Sequence, residues 1–338
     1  MKKMNIQTKA THRTARTTPP SRRSRRRTSA IIGGLAALVL AGSAAAESEG
    51  RDNATFTTAR LVYYSDLSNA LSDYNRALAN ANNRPTGDGR KAARDQAAAD
   101  YKDAVANVKA RFGERSKLGE KLGEIRYNPV INPADFVSVA EIVAHPNPLY
   151  PLIPGTTMNY RSQTSEGTET IAITVTPETR QILGVTCLVV RDTVRLNGAV
   201  TEDTIDWYAQ DRSGNVWYFG ESTAEFEDGL ITNIDGSWRA DLGEAHPGII
   251  MFAHPAAGKV YRQELLYTEA EDAAEVLALD EKVTVAAGSY AHCLKTNEFT
   301  PLEPGINEFK YYAPGVGNVL VVHTDTGKRT ELVSVQRK

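Results

Sequence analysis

The chain has 338 residues, 41% apolar and 24% charged, which is long enough for two folded domains and excludes a disordered or low-complexity chain. Its formal net charge of -2 hides an asymmetry: residues 1–46 hold ten Lys or Arg and no Asp or Glu, leaving 29 basic against 41 acidic residues beyond them. That acidic remainder argues against nucleic acid as a partner and against attraction to an anionic membrane.

Residues 1–29 are basic and rich in Ser and Thr, Ala30 to Ala41 is a short apolar run, and Ala44-Ala45-Ala46 offers small residues for cleavage. This is the pattern of a signal peptide cut after Ala46. A run of about a dozen apolar residues is short for a bilayer span, so no span is expected once the leader is gone. Ser21-Arg22-Arg23 opens like a twin-arginine signal, but Ser24 and Arg25 stand where apolar residues belong. Leu40-Ala41-Gly42-Ser43 carries Ser where a lipoprotein signal needs its acylated Cys. A periplasmic or extracellular product without a lipid anchor is expected.

Tyr64, Leu67, Leu71, Tyr74 and Leu78 recur at helical spacing, and Ala97, Tyr101, Ala104, Val108 and Phe112 make a second stripe. The polar stretch Asn82 to Gly89 separates them, and Gly113 stands where a C-cap is expected. The two stripes predict an antiparallel helical hairpin over residues 47–127. It is a spacer or a docking face for a partner helix. Leu118, Leu122 and Ile125 extend helical spacing into a charged stretch. Asn132-Pro133 reads as a cap and first-turn pair opening a short helix through Phe136 to Ile142, inside a Pro-rich linker over 128–154.

From residue 155 to 338 strands alternate with turns. Runs at Thr170 to Val175, Ile182 to Arg191, Val200 to Gln210, Asn215 to Gly220, Leu230 to Trp238 and Val260 to Tyr267 are followed by five more towards Val335. Asn197-Gly198, Asp228-Gly229 and Asp325-Thr326-Gly327 are turn signals between them. Glu269 to Leu279 reads as a short acidic helix. Asp211-Arg212-Ser213-Gly214 is turn chemistry inside an aromatic hairpin, and a loop of those four residues sets Tyr208 opposite Trp217 and Trp207 opposite Tyr218. A hairpin apolar on both faces belongs in a sheet covered on both sides. The expected fold class is therefore α+β, mainly β: a helical hairpin, then an antiparallel β-meander forming an open barrel or curved sheet.

Several stretches stand together: NPLYPLIPGT at Asn147 to Thr156, DWYAQDRSGNVWYFGE at Asp206 to Glu221, PGIIM at Pro247 to Met251, and YRQE at Tyr261 to Glu264. EAEDAAEV at Glu269 to Val276, CLKTNEFTPLEPG at Cys293 to Gly305 and KYYAPGVG at Lys310 to Gly317 complete the set. The combination resembles a family of exported bacterial β-rich proteins of unassigned function, over residues 132–323. The resemblance implies export and an all-β domain, and no catalytic residue.

Chemistry-bearing residues are sparse. Cys187 and Cys293 are the two cysteines, and in an exported chain a pair predicts a disulfide. Cys187 shares a strand face with Val185 and Val189, which also fits a buried thiol. His145, His246, His254, His292 and His323 show no metal-ligand spacing, although His254, His292 and Cys293 could meet in space around Zn or Cu. Glu269, Glu271 and Asp272 form an acidic cluster without the alternating ligands of a Ca²⁺ loop. No nucleophile elbow, phosphate-cradling glycine loop or dinucleotide fingerprint is present, so neither a catalytic residue nor a cofactor is assigned. Arg262 with Glu264, and Glu308 with Lys310, stand two apart on strands, so each pair shares a face and forms an ion pair if that face turns inward. With Trp207, Trp217 and Trp238 they are the candidate ligand-binding residues. The expected function is an exported, non-enzymatic binding or structural protein holding a small apolar or amphipathic ligand or a protein partner. The alternative is an enzyme or metal-binding protein with a site assembled in the β region.

Overall fold

The computed structural model describes residues 54–123 and 126–337. The expected signal peptide, residues 1–46, lies outside them. Helices α1 (Ala54–Asn82) and α2 (Asp88–Leu122) pack as an antiparallel pair, with Tyr74 stacked on Tyr101 at 4.9 Å and Phe56 against Phe112 at 5.7 Å. Helix α2 does not end at Gly113. It continues to Leu122 and is capped by Gly123, whose φ of 61° lets its N–H reach the Gly119 carbonyl at 3.0 Å. A helical glycine costs roughly 1 kcal/mol. The buried Arg115 and Leu118 beyond it outweigh that cost.

The linker folds as a 3₁₀ turn (Pro133–Asp135) capped by Asn132, and a separate helix α3 (Val139–Ala144) opened by a capping box between Ser138 and Glu141. The single helix expected from Pro133 through Phe136 to Ile142 is thus broken at Phe136, which pairs instead with Asp211 across the sheet.

The rest is an antiparallel sheet with helices to one side, α+β and mainly β. In chain order its strands are β1 (Thr156–Thr164), β2 (Gly167–Ile182), β3 (Val185–Leu196), β4 (Ala199–Gln210) and β5 (Val216–Glu227). Then come β6 (Leu230–Asn233), β7 (Trp238–Arg239), β8 (His246–Met251), β9 (Val260–Arg262) and β10 (Glu264–Leu265). The last are β11 (Ala273–Val285), β12 (Gly288–Phe299), β13 (Asn307–Ala313), β14 (Gly317–His323) and β15 (Arg329–Arg337). Neighbours run β10-β8-β5-β4-β3-β2-β1-β15-β14-β13-β12-β11-β9, with β6 and β7 paired to β5. The sheet is not a closed barrel, since no ladder joins the terminal strands β10 and β9. Those two are nevertheless consecutive in the chain, separated by Gln263 alone, so the curl brings both ends of the path to one segment. Gly248 on β8 makes the approach possible: a Cβ there would lie 2.4 Å from the Gln263 carbonyl carbon.

The aromatic hairpin closes one residue tighter than expected. Asp211 pairs with Asn215, so Tyr208 faces Tyr218 and Ala209 faces Trp217. A bulge then shifts the ladder and puts Gly220 opposite Trp207. Gly220, at φ 135°, leaves room for β7, because a Cβ would stand 2.4 Å from the Trp238 carbonyl oxygen. Both faces of the hairpin are covered, as expected. Phe136 packs on Trp217 and Phe219 from one side at 6.1 and 5.5 Å.

Other strand expectations also shift. Residues 269–279 are not helical, and Ala273 onward is β11. Strands β1 and β8 went unpredicted. The run from Ile182 to Arg191 is interrupted by Leu183-Gly184, whose φ values of 52° and 78° make a two-residue primed turn. The left-handed region suits Asn and penalises Leu by roughly 1–2 kcal/mol. Leu183→Asn is therefore expected to stabilise the protein by about 1 kcal/mol, read as a higher urea midpoint at constant slope.

Cys187 and Cys293 are both free and buried, so the expected disulfide is overturned. Cys187 lies on β3 and Cys293 on β12, with β2, β1, β15, β14 and β13 between them along the sheet. Burial, the larger cause, and a nearby acid raise both thiols above their ordinary pKa. Neither thiol is expected to label with iodoacetamide in the native protein. Both are expected to label in denaturant without reductant, as counted by intact mass.

Candidate functional site in the sheet interior

Strand alternation decides which side chains face inward. On β3, Asp192 shares its face with the buried Val190 and Val194. On β4, Asp206 and Tyr208 share theirs, with Glu221 and Tyr218 directly opposite on β5. Across the interior, Glu298 on β12 faces Glu308 on β13, and Thr296 faces Lys310. All of these except Thr296 and the two valines are ionisable, and all are buried.

The centre is an ion pair. Lys310, 2% exposed, places Nζ 2.8 Å from Glu298 Oε2 and 3.7 Å from Glu308 Oε2. Tyr312 donates its hydroxyl to Glu298 Oε1 at 2.6 Å, and Thr296 donates to the same oxygen at 3.0 Å. Behind them His323 Nδ1 lies 3.3 Å from Glu308 Oε1. Burial alone would raise the Glu298 pKa, but Lys310 and the side chains of Tyr312 and Gln263 hold it below the usual carboxylate range. Burial alone would lower that of Lys310, and the two glutamates push it up instead. The pair is thus ionised, as a buried pair must be to repay its desolvation.

The wall formed by β3, β4, β5 and β10 behaves differently. Asp206 accepts the Tyr218 hydroxyl at 2.7 Å. Asp192 Oδ1 has no hydrogen-bond partner among the described residues. No Lys or Arg of the described residues forms an ion pair with Asp192, Asp206 or Glu264. Burial raises all three, helped by Asp206 at Asp192, where Lys310 opposes it, and by Asp272 at Glu264, which reaches about 8. Rings accompany the acids: Tyr208 stacks on Tyr218 at 4.8 Å, Trp238 meets Tyr218 edge-on at 5.4 Å, and Tyr150 lies 5.4 Å from Tyr208. Burial keeps these tyrosines protonated well above their ordinary range.

These shifts give stability a definite pH dependence. Free Glu titrates near about 4.3. Between that value and about 8 native Glu264 holds a proton that the unfolded chain has released, so stability falls as pH rises across the window. Asp192 and Asp206 act with the same sign. Glu298 acts oppositely, and its contribution is lost only as pH falls through its lowered pKa. The urea midpoint is expected to be higher at about pH 5 than at about pH 8.

Of the residues singled out from sequence, Arg262, Glu264, Glu308 and Lys310 are all buried. Of the two expected pairs Glu308 with Lys310 forms, at 3.7 Å, but Lys310 stands closer to Glu298, at 2.8 Å, and Arg262 turns to the ring of Tyr127 at 5.7 Å. Between Arg262 and Glu264 the ladder changes partner from β11 to β8, which breaks their shared face. The tryptophans are dispersed. Trp238 stands beside Tyr218, Trp207 lies under Arg180 at 4.8 Å, and Trp217 donates Nε1–H to Asp211 at 2.9 Å. Asp192, Asp206 and Glu298 were missed. A single charge on an otherwise apolar strand face, as in Val190-Arg191-Asp192-Thr193-Val194, was the available signal.

Among the described residues no group of three or more His, Cys, Asp or Glu side chains is placed to hold a metal ion. No described helix is long and apolar enough to cross a membrane. No family model and no curated protein matches the sequence. Among solved structures, a chain of Parabacteroides distasonis ATCC 8503, described as a "putative lipoprotein", matches at 13% identity with a TM-score of 0.32. The match covers 56% of this chain and 98% of that one.

Proposed function

We propose that this is an exported, non-enzymatic binding protein of the bacterial envelope or exterior, holding a small amphipathic ligand inside the curved sheet. Export rests on the leader-like composition of residues 1–46. The ligand site rests on one observation, a buried band where ionisable and aromatic side chains meet. Well-packed apolar residues would stabilise such an interior as well or better. Buried carboxylates kept without a direct ion pair cost stability, and such costs concentrate where a protein has work to do. The rings supply apolar contact and the carboxyl and hydroxyl groups supply orientation, the usual division of labour in a small-molecule site.

Native mass spectrometry of protein purified from the exported fraction tests this. The expected result is an adduct of small-molecule mass that is lost on denaturation. A clean apo mass, with no compound recovered by solvent extraction of the same preparation, overturns the reading and leaves a structural protein.

A further inference from the structure

We infer that the ligand carries a protonated amine, held on the wall of β3, β4, β5 and β10 by Asp206, Glu264 and Asp192 with Tyr208, Tyr218 and Trp238 around it. This rests on the binding reading above and names its ligand class.

The first support is the pairing of charges. Lys310 forms its ion pairs with Glu298 and Glu308, and no described Lys or Arg forms one with Asp192, Asp206 or Glu264, although the Lys310 charge does act on Asp192. Burial disfavours the ionised form of these three acids in the free protein, and a bound ammonium would favour it. Asp206 lies directly across the strand pair from Glu221. Asp192, opposite Thr204 where Asp206 is opposite Val190, is its diagonal neighbour on the next strand. Cross-strand and diagonal neighbours stand roughly 5–8 Å apart. Among the described residues no group of three or more His, Cys, Asp or Glu side chains is placed to hold a metal ion. The spacing suits a larger organic cation.

The second support is Asp192 itself. It is 9% exposed, and its Oδ1 has no partner among the described residues. A buried acceptor without a donor is costly, and a ligand N–H would satisfy it.

The third is the aromatic arrangement. Tyr218 donates to Asp206 while its ring stacks on Tyr208 and meets Trp238. Ring faces beside carboxylates attract weakly hydrated cations such as alkylammonium more than hydrated metal ions. An apolar void of about 20 Å³ lies beside β3, lined there by Val190 and otherwise by residues outside this wall, among them Tyr160 of β1 and Ile173 of β2, the cross-strand partner of Asp192. It is large enough for one methyl-sized group.

The test is isothermal titration calorimetry of the exported protein with n-butylammonium, n-butanol and butyrate, which share a chain and differ in charge. Butylammonium is expected to bind at least about tenfold more tightly than either of the others. Equal binding of the three overturns the amine inference and leaves the binding reading standing. Heat from none of them also overturns it, while the binding reading is judged separately by the mass of the exported protein. Asp192→Asn supplies the second arm. It removes a buried, unpartnered carboxylate, so the variant is expected to melt at a higher temperature yet bind butylammonium about three- to tenfold more weakly. A variant that melts higher with unchanged affinity removes Asp192 from the site. A variant that loses both stability and affinity marks it as structural.

Discussion

Replacing Lys310 by Met is expected to destabilise the protein by about 3–5 kcal/mol, because it leaves Glu298 buried with no cation. Methionine has nearly the shape of the lysine stem, so the loss is electrostatic rather than a cavity. Glu298 would keep its hydrogen bonds from Tyr312 and Thr296, but hydrogen bonds alone do not replace the ammonium. Two further results follow from that cause. The deficit should be smaller at about pH 5 than at about pH 7.5, since without Lys310 burial raises the Glu298 pKa and the group can neutralise itself. Glu298→Gln in the same chain should restore much of the loss, because its amide oxygen still accepts from Tyr312. Urea denaturation of the two single variants and the double variant at about pH 5 and pH 7.5 gives the cycle. A Lys310→Met deficit below about 1 kcal/mol at both values would mean that water reaches the centre and the pair behaves as an exposed one.

What the sequence discloses depends on whether a residue's role is local. The turns show this. Asn197-Gly198 and Asp228-Gly229 announce their hairpins because those residue types tolerate positive φ. Leu183-Gly184 makes the same turn and goes unread, because Leu carries no such signal and is held there by the strands on either side. The helical stripes are legible for the same local reason, while the passage of α2 through Gly113 depends on contacts made by Arg115. Strand β11 is the clearest failure. Glu269, Glu271, Asp272 and Glu275 with scattered Ala and Leu read as a helix from Glu269 to Leu279, and only pairing with β9 and β12 makes Ala273 onward a strand. The interior site is partly legible. Spacing two apart identified Glu308 and Lys310 as a shared face. Their chief partner, Glu298, sits on a neighbouring strand and follows only from register, which one residue of loop length can change. The Cys187–Cys293 expectation failed at the same level, since two strand cysteines are compatible with a bridge until the strand order sets them apart.

Arg115→Met is expected to separate the melting of the helical pair from that of the sheet. Arg115 is 4% exposed and lies where α1, α2 and the sheet segment before β11 meet. Its guanidinium donates to Glu271 through Nε at 2.8 Å and Nη2 at 2.7 Å, and to Asp66 of α1 through Nη1 at 2.9 Å. Glu271 also accepts the Thr268 backbone N–H at 2.8 Å, so its position is fixed from the sheet side. Removing the one cation leaves two buried carboxylates facing each other, and breaking a buried pair in this way costs about 3–5 kcal/mol. The links that remain are weaker. Lys121 with Glu275 is largely exposed, and Arg111 makes a single bond to the Leu302 carbonyl. Loss of far-ultraviolet helical signal should therefore precede loss of the near-ultraviolet signal of the buried tyrosines and tryptophans, whereas the parent protein is expected to show one transition. Adding Glu271→Gln should recover part of the coupling by removing the uncompensated charge. A variant that still melts in a single step at the parent temperature would show that the Ala-rich helix faces, and not this ion triad, hold the pair to the sheet.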